Sequence, residues 1–176
     1  MTLRRAADLV ATPWRNGRGT TRDIMTVAAA DGMLLWQASL AELTEDCDFS
    51  DYAGFDRVFT PVAGDAITLS HDGGEFLRCP VLTPHAFAGE TRTRCRIRAM
   101  PGRAFNVITA RGRFRADVLV LRMPAGTSAP QAEVIYCWSG RLDSAAGTAG
   151  PGDSLLGMGA TAAVPSVAIM ASISPA

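Results

Sequence analysis

Apolar and polar residues alternate in short stretches along the whole chain, each stretch closing on Gly, Pro, Asp or Ser, while the three-to-four-residue spacing of amphipathic helices is hard to find. The alternation predicts strands over residues 34–43, 57–63, 66–70, 93–100, 105–111, 117–123, 133–138 and 167–173, and therefore an all-β fold. A faint echo doubles the pattern. RVFTPVAGDAITLS, the later PHAFAG and the strand RCRIRAM are answered by EVIYCWSGRLDS, PGDSLLG and VAIMASI. Two jelly-roll β-barrel lobes fit it, although the approximate spacing does not by itself make a repeat; the division expected is one lobe over residues 1–114 and a smaller one over 115–176, packed into one compact unit. SAAGTAGPG, between apolar strands of the second lobe, reads as a hairpin loop rather than a linker.

In LWQASLAEL, period two puts Gln37, Ser39 and Ala41 on one face and Trp36, Ala38, Leu40 and Glu42 on the other. Gln37 and Ser39 either wall a hollow or meet water. In TRTRCRIRAM, Arg92, Arg94, Arg96 and Arg98 share one face. With no aromatic residues between them, they predict a solvated outer face rather than a nucleic-acid stripe.

Composition narrows the function. The 176 residues are 48% hydrophobic and 19% charged, and no apolar run reaches the roughly 18 residues that a membrane helix needs. Asp8 interrupts the stretch after Arg4 and Arg5, so no export signal is expected. Four scattered cysteines without a C-x-x-C pair fit a reduced, cytoplasmic protein. A formal net charge of zero removes the general pull toward nucleic acid or acidic membranes, which leaves a small molecule as the expected partner. All 17 basic residues are arginine, so chemistry that needs a lysine is excluded. The two histidines, His71 and His85, stand outside any H-x-H and are expected at surface or loop positions; no metal and no other cofactor is expected.

TPWRNGRGTTRDI, residues 12–24, carries the densest candidate chemistry. Asn-Gly supplies a tight turn and Gly19 a second bend, which can bring Arg15 or Arg22 toward a barrel mouth. Asn16, Thr20 and Thr21 add neutral donors and acceptors, and arginine's planar fork suits two carboxylate oxygens. GFDR sets Arg57 at a strand entrance, with Asp56 as a candidate partner, and FNVITAR holds a lone Asn106 in an apolar strand. Phe49, Tyr52, Phe55 and Phe59 read as core and rim aromatics.

PWRNGRGTTRDI, LWQASLAEL, DFSDYAGFDRVFTPVAG, FAG and FNVITAR, in this order, resemble the HutD/Ves family of bacterial cupin-like proteins over about the first two-thirds of the chain. The resemblance implies a bicupin related to RmlC-type jelly rolls. It also implies a role beside histidine utilisation for the HutD branch, restraining that pathway by binding an intermediate such as formylglutamate or urocanate, and a link to stress for the Ves branch. No catalytic activity comes with it. The family usually carries arginine where Gln37 stands, and losing that charge weakens the expectation of a doubly anionic ligand; it also usually shows an acid where Ala104 stands, and any role of that acid is lost here.

These readings converge on a metal-free binder of a small carboxylate metabolite. Arg22 and Arg57 are expected to hold the anion, Asn16, Thr20, Gln37, Ser39 and Asn106 to supply hydrogen bonds, and Trp14 and Trp36 to wall the pocket. Two alternatives stay open: a metal-independent isomerase or hydrolase using Glu42, Asp23, Asp56 or His85, and a stress-related protein-interaction module. A homodimer is suggested by analogy with cupin-like folds.

Overall fold

Backbone amides in a chain of short alternating segments find partners only by pairing strands, and the computed structural model is built in that way. It describes residues 1–14, 19–64, 67–98 and 101–176. The strands of the first part are β1 (Thr2–Arg4), β2 (Ala11–Pro13), β3 (Gly19–Ala28), β4 (Leu34–Leu43), β5 (Cys47–Asp48) and β6 (Phe55–Ala63). They are followed by β7 (Ile67–His71), β8 (Leu77–Arg78), β9 (His85–Ala88), β10 (Thr93–Ile97) and β11 (Gly102–Ala110). The rest of the chain forms β12 (Phe114–Met123), β13 (Ser128–Ser139), β14 (Leu142–Ser144), β15 (Gly147–Ala149), β16 (Ser154–Ala162) and β17 (Ser166–Pro175). The all-β, two-lobed jelly-roll class expected from the alternation is the class observed. Among the described residues no helix is long and apolar enough to cross a membrane.

The chain divides into two units, one of Val10–Arg115 with Pro175–Ala176, the other of Met1–Leu9 with Ala116–Ser174. The first has a six-stranded sheet, β2-β3-β4-β11-β6-β9, and a four-stranded sheet, β5-β10-β7-β8. Between them Leu43, Phe59, Ile67, Leu69, Cys95 and Ala104 form a core. The near-continuous apolar run AFNVITA belongs to β11, which is flanked by β4 and β6 and buried on both faces. The arginines of β10 alternate outward as expected: Arg94 pairs with Asp48 at 3.3 Å and Arg96 lies 3.8 Å over the Phe76 ring.

β3 is absent from the alternation read in the sequence, and its bulge explains why. Asp23 lies opposite Ser39 and Met25 opposite Ala38, so Ile24 is an extra residue that breaks period two. Gly19 opens this strand and serves close approach rather than bending. A Cβ there would stand 2.7 Å from the Glu42 carbonyl and 3.1 Å from the Trp14 ring.

The second unit is a seven-stranded sheet around Ile135, Leu142, Leu155, Met158 and Met170. Its seventh strand is β1, paired with β16, so residues 1–9 belong with this lobe and not with the 1–114 lobe expected from the sequence. The tie is Asp153, which accepts from Ala6 N–H at 2.9 Å, the Arg5 guanidinium at 2.8 Å and Gly150 N–H at 3.1 Å. Burial opposes the charge, yet these donors together hold the carboxyl below its ordinary value. The stability it contributes is present above the unfolded carboxylate value of about 3.9 and is lost as pH falls through the lower folded value. Replacing Asp153 with Ala orphans these donors and is expected to cost about 1–3 kcal/mol in urea unfolding at pH 7, with the difference from wild type shrinking in strong acid.

Candidate functional site

Residues directly opposite one another across a ladder point to the same face, so the register of the six-stranded sheet assembles the site row by row. One row runs Asp23, Ser39, Asn106, Phe59 across β3, β4, β11 and β6. The next runs Thr26, Gln37, Ile108, Arg57 and reaches Phe87 on β9. Thr12, Thr21 and Ala41 form a third. Apart from Thr26, Phe59 and Phe87, the residues of these rows wall a cavity of about 400 Å³ in the first unit, to which the segment Phe49–Tyr52 adds two aromatic rings, Ser50 and Asp51.

Arg57 is the charged floor of this cavity. Its side chain is folded into the protein, with the residue 7% exposed, and its guanidinium carbon lies 5.0 Å from the Phe49 ring centroid, 5.4 Å from Tyr52 and 5.2 Å from Phe87. The π faces offer the cation partial compensation. A single long hydrogen bond, Nη1 to the Ser50 carbonyl at 3.4 Å, is its polar contact, and Nε is buried without an acceptor. Among the described residues no carboxylate pairs with it. Burial pushes its pKa down to about 10, opposed by Tyr52, so it remains a cation at neutral pH. Beside it, Asn106 is 6% exposed and its Oδ1 is buried without a donor.

Five of the nine residues expected to hold the ligand meet at this cavity: Trp14, Gln37, Ser39, Arg57 and Asn106. Trp14 donates its indole N–H to Thr21 Oγ1 at 2.7 Å, and Gln37 donates to Thr26 Oγ1 at 3.3 Å. Three others lie elsewhere. Arg22 alternates with Asp23 to the opposite side of β3 and pairs with Glu42 at 3.1 Å. Thr20 sits opposite Glu42, and Trp36, 5% exposed, sits opposite Thr109 on the face of β4 away from Gln37. Asn16 lies outside the described residues. Asp56 bonds Arg111 at 2.7 Å instead of holding Arg57, because neighbours along a strand face opposite ways. Arg111 also grips Glu90 at 2.6 Å.

Thr12, Ser50 and Asp51 were not among the residues expected at the pocket, Thr21 entered only as a donor and acceptor of the 12–24 segment, and Asp23 only as a candidate acid or base. The polar DFSDY run, set between two strand-forming stretches, was the available signal for Ser50 and Asp51.

The histidines are half-buried on strands, not in loops: His71 ends β7 and His85 begins β9. Their Nε2 atoms are 2.8 Å apart and their rings lie within 10° of parallel, tying one sheet to the other. Thr93 donates its hydroxyl to Thr91 O and so accepts from His71 Nδ1–H; His71 Nε2 is then the acceptor and His85 Nε2–H the donor. Phe87, part of the frame around Arg57, also packs on both rings at 5.0 and 5.7 Å. Among the described residues no three His, Cys, Asp or Glu side chains gather as metal ligands.

Comparison with known proteins places these residues in context. The HutD family model matches residues 6–169. A 21.2 kDa protein described as uncharacterized, from the hutC 3' region of Pseudomonas putida, is 35% identical over 116 residues, which are 65% of this chain and 60% of that protein. The match thus spans less than two-thirds of that relative. Protein Ves of Cronobacter sakazakii is 33% identical over 72% of this chain and 70% of its own. The fold is shared with HutD from Pseudomonas fluorescens SBW25, solved in a formate condition, at a TM-score of 0.84 and 24% identity, covering 99% of this chain and 98% of that one. Cupin barrels share it more distantly.

Burial first, and then the neighbouring His85 charge, lower the His71 pKa against the pull of Asp72. The unfolded chain therefore takes up a proton near pH 6.5 that the folded chain refuses, so stability falls as pH drops from about 6.5 toward the lower folded value. Urea midpoints at pH 7.5 and 5.0 are expected to show that fall in the wild type and a smaller one in His71→Asn; equal falls in the two would contradict the assignment.

Proposed function

Because the chain belongs to the HutD family, whose members are associated with histidine utilisation, we propose that its first lobe binds the carboxylate of a small metabolite on Arg57 and so reports or restrains the supply of that metabolite. The observation that carries this reading is a cation buried among three aromatic rings with no carboxylate of its own. Burying an unpaired charge costs several kcal/mol, and proteins retain such an arrangement where a ligand supplies the counter-charge.

A carboxylate entering the cavity accepts from the guanidinium and stands within the polar rows of Ser39 and Asn106. The rings around Arg57 keep its guanidinium largely out of solvent, which strengthens a charge-assisted bond to it beyond its value in water. Trp14, fixed on Thr21, closes one side over the ligand. Of the candidate acids and bases, Asp23 alone borders the cavity among the described residues, while Glu42 pairs with Arg22, Asp56 with Arg111 and His85 with His71, so binding is better supported than turnover. Urocanate-like and formylglutamate-like molecules offer the required carboxylate, and the formate condition of the Pseudomonas fluorescens HutD structure names the smallest one. The reading is of a metal-free, cytoplasmic binding protein with a regulatory role.

Calorimetry with formate, urocanate and N-formylglutamate tests it. Arg57→Gln is expected to weaken the bound carboxylate about ten- to a hundredfold, the loss of a charge-assisted contact. Arg57→Met, with no charge to bury, is expected to unfold at higher urea than the ligand-free wild type, by about 1–3 kcal/mol. Affinity unchanged in Arg57→Gln would remove the residue from the site.

A further inference from the structure

The charges around the cavity are unequal. Its described lining carries one cation, Arg57, and two carboxylates, Asp23 and Asp51. Arg57 lies at the buried end, whereas Asp23 is exposed on β3. Three strand spacings separate them, ~14 Å measured along the sheet, so they do not neutralise each other. Neither acid has a described partner. The nearest arginine along the chain, Arg22, is on the other face and already bound to Glu42. Gln37, in the Arg57 row, is neutral and spends its amide on Thr26, so it adds no second cation.

A ligand with a carboxylate at each end would satisfy Arg57 and then press its second charge toward Asp23. A ligand with a carboxylate at one end and an N–H at the other satisfies both. From this arrangement we infer that the cavity takes a small monocarboxylate bearing an N–H donor, as an ammonium, imidazole or amide, at the end remote from the carboxylate, and discriminates against dicarboxylates, N-formylglutamate among them. The inference rests on the anion-site reading above and adds to it the role of Asp23 as the group that selects the far end. Between the two charges, the unpartnered amide oxygen of Asn106 gives the middle of the ligand a further acceptor. Partial desolvation raises the Asp23 carboxyl above its ordinary value, as expected for a carboxylate without a cation beside it.

The test uses three ligands of similar length at low salt and pH 7.5: hexanoate, 6-aminohexanoate and pimelate. Calorimetry on the intact wild type is expected to rank 6-aminohexanoate above hexanoate and hexanoate above pimelate. Each step is about fivefold, the size of a partly exposed charge contact. Asp23→Asn is expected to collapse the ratio of 6-aminohexanoate to pimelate affinity to within about twofold. If hexanoate binding depends on Arg57 but the ratio in wild type is near one or inverted, or persists in Asp23→Asn, the selection by Asp23 is overturned and the anion site stands. If hexanoate does not bind, or binds equally well to Arg57→Gln, the anion site falls and this inference with it.

Discussion

A guanidinium that is buried and unpaired is the constraint around which the first lobe is organised. Arg57 sits in a core-facing position that alternation would otherwise give to an apolar residue, between Phe59 on its own strand and Phe87 across the ladder. Three rings hold it there without cancelling its charge. Cation–π contacts return about 0.5–2 kcal/mol each and offset part of the several kcal/mol that desolvation costs, but they supply no counter-charge. The ligand-free protein thus keeps an uncompensated charge facing a cavity, and any anion of the right size lowers that cost.

The rest of the lobe keeps the guanidinium aimed. The bulge at Ile24 returns Thr26 to the row of Gln37 while leaving Asp23 beside Ser39, so two rows of polar side chains share one wall. Gly19 lets Trp14 press against β3 and bond Thr21. Phe87 is common to the Arg57 frame and to the histidine pair, so the contact that ties β7 to β9 also backs the cation. Packing, sheet register and the site are one arrangement seen at three scales.

Most of the fold and part of the candidate site were legible in the sequence. Period two in LWQASLAEL assigned Gln37 and Ser39 to one face without ambiguity, because β4 is regular. Asn106 stood out as the lone amide in an apolar run. Arg22 was misjudged as a cavity residue for a physical reason: a bulged strand has no clean period, and nothing local tells which of Arg22 and Asp23 turns inward. The approach of His71 to His85, and the tie from Asp153 to Ala6, join residues 14 and 147 positions apart through the topology of strands. No spacing rule along the chain encodes such contacts; the register across it does.

The central claim is that the Arg57 guanidinium is the unfilled half of an ion pair. Its Nε–H, buried without an acceptor, is a direct reporter. In protein labelled with ¹⁵N at arginine, with the Arg57 signal assigned by its loss in Arg57→Gln, titration with hexanoate should shift that resonance saturably while the Nε–H of the Glu42-bound Arg22 stays in place. An Arg57 resonance indifferent to carboxylate would contradict the account.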